Sequence, residues 1–191
     1  MIIFGAGEFA QVIQHYTGLS MCVHRRYVYR GIEVFEDLEP QEMLVCIGDN
    51  HKRKAIVDEA RLKGHRFLSW SFPGLTKGNE NTFIFDYNNI QPFASIGENT
   101  VCWAGNHIGH HSRIGNHCFI TSHVCIGGSA EIGDYSFVGM NATVFDHVKV
   151  GKNCIIAAGA VVDRDIPDNH TLSRKGVLIA LAETYQLPPT D

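Results

Sequence analysis

The sequence predicts a small α/β domain of parallel type, followed by a parallel β-helix of hexapeptide repeats and a short C-terminal helix. Aliphatic residues recur every six positions from Ile84 onward, and glycine follows many of them. Before that point the chain instead alternates short apolar runs with helical patterns that end at glycine.

Met1 to Phe4 reads as a strand running into Gly5-Ala6-Gly7-Glu8-Phe9-Ala10 and a helix. Met43 to Ile47 reads as a second strand, ending in Gly48-Asp49-Asn50. Asn50 can cap a helix from His51 to Lys63, which Gly64 stops. Strand-like pieces near Met21 and Phe67 complete the α/β unit, drawn at residues 1–76. The Gly- and Asn-rich stretch from Pro73 to Asn81 is the junction. The β-helix is placed at 77–168, with a tail at 169–191 whose Val177 to Tyr185 segment is read as a helix capping the open coil.

Stepping by six from Ile84 visits fourteen positions as far as Val162, and thirteen are Ile or Val. The next residue is glycine at Gly97, Gly109, Gly115, Gly127, Gly133, Gly139 and Gly151, read as the corner of each turn. Four residues after the aliphatic a small residue is common, as at Ser112, Ala130 and Ala142. One large and one small inward residue per six suits short strands stacked in narrow coils at ~4.8 Å. In the column Val101, Phe119, Phe137 and Ile155, each residue is eighteen from the last, which predicts an exposed apolar stripe and an interface.

The chain has 191 residues, and its 45% hydrophobic content with 19 Gly and only 6 Pro marks a globular, turn-rich protein. A net charge of -4 gives no electrostatic footprint for nucleic acid or an anionic membrane, so neither is expected as a partner. With no basic leader and no long apolar run, a cytoplasmic location is expected. The six cysteines form no C-x-x-C and are expected reduced, with Cys102, Cys118 and Cys154 in packing slots.

Eleven histidines are present, five of them (His107, His110, His111, His117, His123) within seventeen residues. Imidazole suits a general base near neutral pH, and it also suits zinc. The positions eighteen residues beyond His107, His110, His111 and His123 hold Cys125, Gly128, Ser129 and Asn141, so no tri-histidine set forms and no metal is expected. His117 and His147 read as solvated surface groups. Gly5-x-Gly7-x-x-Ala10 after a strand matches a phosphate-binding turn, with Arg25, Arg26 or Lys52 as helpers. It equally suits close helix–strand packing. The region some twenty residues on lacks the acidic group a dinucleotide ribose needs, which disfavours NAD.

With these motifs in hand, the chain resembles the bacterial sugar acetyltransferases of the sialic acid and bacillosamine pathways, which join a Rossmann-like domain to a left-handed β-helix. The resemblance runs from Ile3-Phe4-Gly5-Ala6-Gly7 through Ile47-Gly48-Asp49-Asn50 to Asn106-His107-Ile108-Gly109-His110-His111-Ser112-Arg113-Ile114-Gly115. It implies a homotrimer, acetyl-CoA in a groove between neighbouring β-helices, and a nucleotide-linked amino sugar as acceptor in glycan biosynthesis. His110, five residues before Gly115, takes the place of the catalytic histidine. His111 stands where that family carries an acidic residue. Phe119 aligns with a cofactor-region histidine for which His123 could compensate, and Gly128 matches a glycine lying against the cofactor. Gly5, Gly7, Glu8, Gly48, Asp49, Asn50, Asn106 and His107 are the implied substrate contacts. The Gly-Asn-Pro-Ala tail of the family is absent after Asn169. The implied chemistry is direct amine attack on the thioester, with His110 as base and coil N–H groups steadying the oxyanion. Transfer to a sugar hydroxyl, a metal-dependent reaction and a non-catalytic nucleotide-binding scaffold are the alternatives.

Overall fold

The computed structural model describes residues 1–23, 33–71 and 79–181. Arg25 and Arg26, most of the 73–81 junction, and residues 182–185 of the expected capping helix lie outside the described residues. The chain divides into two compact units, one holding residues 1–68 and the other beginning at Ser69. None of the described helices is long and apolar enough to cross a membrane.

In the first unit, β1 (Ile2–Phe4), β2 (Met21–Val23), β3 (Glu33–Val34), β4 (Glu42–Val45) and β5 (Arg66–Phe67) form one parallel sheet in the order β3-β2-β1-β4-β5. Helices α1 (Glu8–Thr17) and α2 (Asn50–Leu62) make the crossovers that parallel neighbours require. The central strands are covered on both faces, so Ile2, Ile3, Phe4, Met43, Leu44 and Val45 are all buried. The cap of α2 is Asp49 rather than Asn50, one residue earlier than expected. Its extended backbone aims the carboxylate at the Lys52 N–H, 2.8 Å away. Asn50 becomes the first helical residue and accepts from Arg53 Nη2 at 2.9 Å, while Arg53 Nη1 donates to the Ile47 carbonyl at 2.8 Å. Arg53 is fully buried, and these acceptors hold its charge in place.

In the second unit the chain from Phe83 to Val162 winds in coils of eighteen residues, each with three two-residue strands. Strands pair in parallel with the strand eighteen residues on, as in Val101 with Phe119, His107 with Cys125 and Arg113 with Glu131. Three sheets result, one along each side of the coil. The Phe119 N–H donates to the Ser136 carbonyl at 3.0 Å and the Glu131 N–H to the Val148 carbonyl at 2.9 Å, so each coil satisfies the backbone of its neighbour. The aliphatic and small columns fill the interior.

The glycines that directly follow the aliphatic residues do not make the bends. The left-handed residue of each corner is the third after the aliphatic, among them Asn99, His111, His117, His123, Asn141 and His147, with φ of 52 to 64°. Asn and His tolerate this region better than most side chains. Glycine follows the aliphatic because the coils stack too closely for a side chain. A Cβ at Gly109 would lie 2.7 Å from the Gly127 carbonyl carbon, and one at Gly133 would lie 2.5 Å from that of Gly151.

Corner residues eighteen apart also bond to one another. Asn81 Nδ2 donates to Asn99 Oδ1 at 2.7 Å, Asn99 Nδ2 meets His117 Nδ1 at 3.0 Å, and His117 stacks on Tyr135 with ring centroids 4.8 Å apart. His117 is therefore a buried ladder group and not a solvated surface one, whereas His147 is exposed. Inside the coils, Thr100 Oγ1 donates to the Gly115 carbonyl at 2.9 Å and accepts the Cys118 N–H at 3.0 Å, and Ser136 repeats the pattern with Gly151 and Cys154.

Two expectations change. In the stripe, Val101 and Phe119 are buried, and only Phe137 and Ile155 remain partly exposed, so no continuous exposed apolar face runs along it. In the described part of the expected C-terminal helix, Leu178–Ala180 is a strand. Ile166 bridges Val150, His170–Leu172 adds in parallel to Ile155–Ile156, and a turn closed by Gly176 (φ 78°) sends Leu178–Ala180 back antiparallel to it. The open backbone edge of the last coil supplies hydrogen-bond partners that a helix could not use, which overrides the local helical pattern.

Two outcomes test this account. Gly133→Ala is expected to destabilise the protein by about 1–3 kcal/mol through overpacking, read as a lower denaturant midpoint, whereas Asn141→Gly at an exposed left-handed corner leaves the midpoint nearly unchanged. In the first unit His65 is buried against Phe35, its Nδ1 accepts the Gln41 N–H at 3.2 Å, and its Nε2 has no hydrogen-bond partner among the described residues. Burial, reinforced by the Lys63 cation, pushes its pKa below the ordinary 6.5. The unfolded chain thus binds more protons, and the stability contributed by neutral His65 is complete above pH ~6.5 and is lost as pH falls through the lowered folded value. His65→Leu should flatten that acid-side loss in urea melts recorded across this window.

Candidate functional site at the His110 corner

His110 and His111 occupy the bend between the strands His107–Ile108 and Arg113–Ile114. Ile108 and Ser112 on either side are buried, and Ser112 Oγ ties the bend by donating to the Gly109 carbonyl at 2.6 Å. The two histidines are left to project outward, and both are exposed. His111 takes the left-handed conformation with φ 59°, and this turns its ring back toward its neighbour. The two Nδ1 atoms lie 3.1 Å apart with the rings nearly perpendicular at 84°. Phe93, one coil below, stacks on His111 at 4.7 Å, and Gln91 Oε1 accepts the His110 N–H at 3.0 Å.

One coil above stands Gly128. A Cβ there would come within 2.7 Å of His110 Cε1 and 2.9 Å of Nε2, so the imidazole fills the space a side chain at 128 would need. Asp146, a further coil above, accepts the Gly128 N–H through Oδ1 at 2.6 Å. The Ser129 N–H donates to the His110 carbonyl at 2.8 Å, and the His111 N–H to the Pro92 carbonyl at 3.3 Å. The expected oxyanion donors of this corner are therefore already committed. Of them, the His110 N–H is held by a side chain, that of Gln91.

The structure brings His110, His111 and Gly128 together and distributes the remaining expected residues elsewhere. His123 sits at a different corner, its ring over Gly105, where a Cβ would lie 2.6 Å from Nδ1. Phe119 is buried and stacks on Phe137 at 5.8 Å. His107 lies on the outer face of the preceding strand, with Nδ1 3.5 Å from Asn89 Nδ2. Asn106 is an internal clamp: its Nδ2 donates to the Trp103 carbonyl at 2.6 Å and its Oδ1 accepts the Val124 N–H at 2.8 Å. In the first unit Gly5 serves packing, because a Cβ there would lie 2.8 Å from the Cys46 carbonyl oxygen and 3.3 Å from Ala10 Cβ. Gly7 is the N-cap of α1 with no side chain to offer, and Glu8 is exposed in its first turn. Gly48, Asp49 and Asn50 form the Arg53-braced entry to α2. Gln91, Phe93 and Asp146 were not singled out from sequence, although offsets of about eighteen and thirty-six residues from the two histidines point to them. Among the described residues no three His, Cys, Asp or Glu side chains gather closely enough to hold a metal ion.

Residues 129–164 match the family model for the bacterial transferase hexapeptide (six repeats), and residues 108–145 match that for the hexapeptide repeat of succinyl-transferase. These residues carry the hexapeptide repeat. A search of curated protein sequences finds no match. Among solved structures, the hexapeptide-repeat chain is similar to perosamine N-acetyltransferase from Caulobacter crescentus in complex with CoA and GDP-perosamine, at 22% identity and TM-score 0.78, covering 93% of this chain and 95% of that one. It is also similar to WeeI from Acinetobacter baumannii, at 17% identity and TM-score 0.68, over 93% and 98% of the two chains. A third similar structure is the acetyltransferase domain of PglB from Neisseria gonorrhoeae, at 20% identity and TM-score 0.60, over 89% and 94%. The fold of these three structures thus extends over nearly the whole chain.

Of the six cysteines only Cys125 is exposed. Burial pushes the Cys46, Cys102 and Cys154 thiols upward, away from the reactive thiolate. Brief treatment of the native protein with N-ethylmaleimide should therefore add one label, at Cys125, and denaturation should expose all six, as counted by intact mass.

Proposed function

We propose that this protein is an acyltransferase that moves an acetyl group from acetyl-CoA to the amino group of a nucleotide-linked sugar, with His110 as general base. The observation that carries the reading is the His110 imidazole, which is exposed, backed by a hydrogen bond to His111, and seated with its Nε2 edge in the space that a glycine leaves open. Support also comes from the similar perosamine enzyme, histidine-substituted forms of which were crystallised with CoA and GDP-perosamine.

In the tautomer this chemistry needs, His110 donates its Nδ1 proton to His111 Nδ1 and keeps a lone pair on Nε2. The acceptor amine forms the new N–C bond at the thioester carbonyl, the C–S bond breaks, and the amine proton passes through Nε2 toward the departing CoA thiolate. No acyl-enzyme is required. His111 replaces an acidic partner with a neutral one, so it orients the base without adding negative charge. We read the first unit as a Rossmann-like domain that holds the nucleotide, from its parallel β3-β2-β1-β4-β5 order and the turn after β1. The protein would act as a cytoplasmic homotrimer, with residues 1–76 and 77–168 as its working domains.

CoA release from acetyl-CoA, measured with a panel of nucleotide-linked amino sugars, tests the reading. His110→Ala should lower the rate by roughly 10² to 10⁴ while leaving the melting temperature unchanged. Full activity in that variant would remove His110 from the mechanism.

A further inference from the structure

The corner column that carries His110 continues upward through Gly128 to Asp146, and these three residues form a notch with a group of defined chemistry on either side. His110 reaches up: its Cε1 and Nε2 edge fills the side-chain space of Gly128. Asp146 reaches down: its Oδ1 takes the Gly128 N–H at 2.6 Å. The imidazole edge and the carboxylate thus flank the same glycine. Asp146 is exposed, and among the described residues it enters no ion pair and its Oδ2 has no hydrogen-bond partner. Of the other charged or titratable groups of this edge, Arg164, next in the column, pairs with Asp163 and donates to the Gly176 carbonyl, and His111 is engaged with His110, while His147 binds the Gly128 carbonyl through its backbone and leaves its imidazole exposed beside Asp146.

Asx side chains that accept a corner N–H recur elsewhere in the coil. Asp134 does so for Asn116, and Asp168 for Lys152. Only at Gly128 does a histidine from the coil below occupy the residue between, so only there does the clamp face a candidate base.

Resting on the acetyltransferase reading above, we infer that Asp146 is a specificity-determining residue that selects an amine over a hydroxyl as the acceptor nucleophile. Both groups lining the notch are hydrogen-bond acceptors, the unprotonated Nε2 of His110 and the free carboxylate oxygen of Asp146. A primary amine has two N–H bonds and a lone pair. It donates one hydrogen to Nε2 and the other to Asp146, and its lone pair stays free to attack. A hydroxyl has a single hydrogen, which the base takes, and it leaves the carboxylate facing an oxygen lone pair. An acceptor arriving as the ammonium ion loses its extra proton to solvent before attack, and the carboxylate favours its entry.

The test uses Asp146→Asn in the full-length protein. The amide keeps an oxygen for the Gly128 N–H but can turn an N–H donor toward the notch. CoA release is measured with matched nucleotide sugars that differ only in an amine or a hydroxyl at the reacting carbon, GDP-perosamine being the first amine probe. The expected result is a wild-type preference for the amine, and a fall of about 10- to 100-fold in kcat/KM for the amine in Asp146→Asn, the scale of a lost hydrogen bond to a charged group. The KM for acetyl-CoA and the hydroxyl rate should change little, and with them the melting temperature. Asp146→Ala also deletes the clamp, and its melting temperature measures the structural part alone. An unchanged amine kcat/KM in Asp146→Asn, or an equal fall with both acceptors, would overturn the inference while leaving the acetyltransferase reading standing. A wild-type protein that binds no acetyl-CoA in calorimetry would overturn that reading and the inference together.

Discussion

In the second unit the backbone N–H groups of the strands point along the axis to carbonyls on neighbouring coils, and almost every other feature follows from keeping that eighteen-residue register. Where the coils stack most closely it excludes a side chain after the aliphatic residue, hence glycine at seven of those positions. It requires the corners to bend through a left-handed residue, hence the recurring Asn and His. It also brings side chains eighteen apart into contact, so polar residues inside the coil, such as Thr100, Ser136 and Asn106, bond to the neighbouring coil's backbone and are not left unsatisfied in the interior.

The candidate site is a by-product of the same register. This corner exposes two adjacent residues, and a glycine above them gives one of the two rings space to lean. At this corner those conditions meet in His110, His111 and Gly128. The scaffold needs no special strand or loop to build the site. Chemistry is introduced by the choice of residue at positions whose backbone geometry is already fixed, which suits the preorganisation that general-base catalysis needs.

Much of this was legible in the sequence because a period of six leaves few alternatives. The aliphatic and small columns, the three-sided coil and the placement of Cys102, Cys118 and Cys154 inside it could all be read from spacing. What could not be read is where two residue types fit equally well. Asp49 and Asn50 are both good caps, and only the backbone angles choose between them. The glycines after the aliphatic and the histidines two places later could each have formed the bend, and only the inter-coil distance shows that glycine serves stacking. His117 and His147 look alike in sequence, yet Asn99 and Tyr135 enclose the first while the second stays open. The segment after Val177 carried a helical pattern, but its conformation depends on the free sheet edge left by His170–Leu172.

That C-terminal reversal has a consequence for the molecule as a material. A parallel coil whose last turn looks like its first is a template for its own extension, and identical chains could add end to end as in a fibril. By turning back at Gly176 and laying Leu178–Ala180 antiparallel on His170–Leu172, the chain presents an edge whose hydrogen-bond spacing no longer matches the parallel strand at the start of another copy. The hairpin thus changes the sense of pairing at the end of one of the three sheets, while Val161–Val162 remains the edge strand of a neighbouring one.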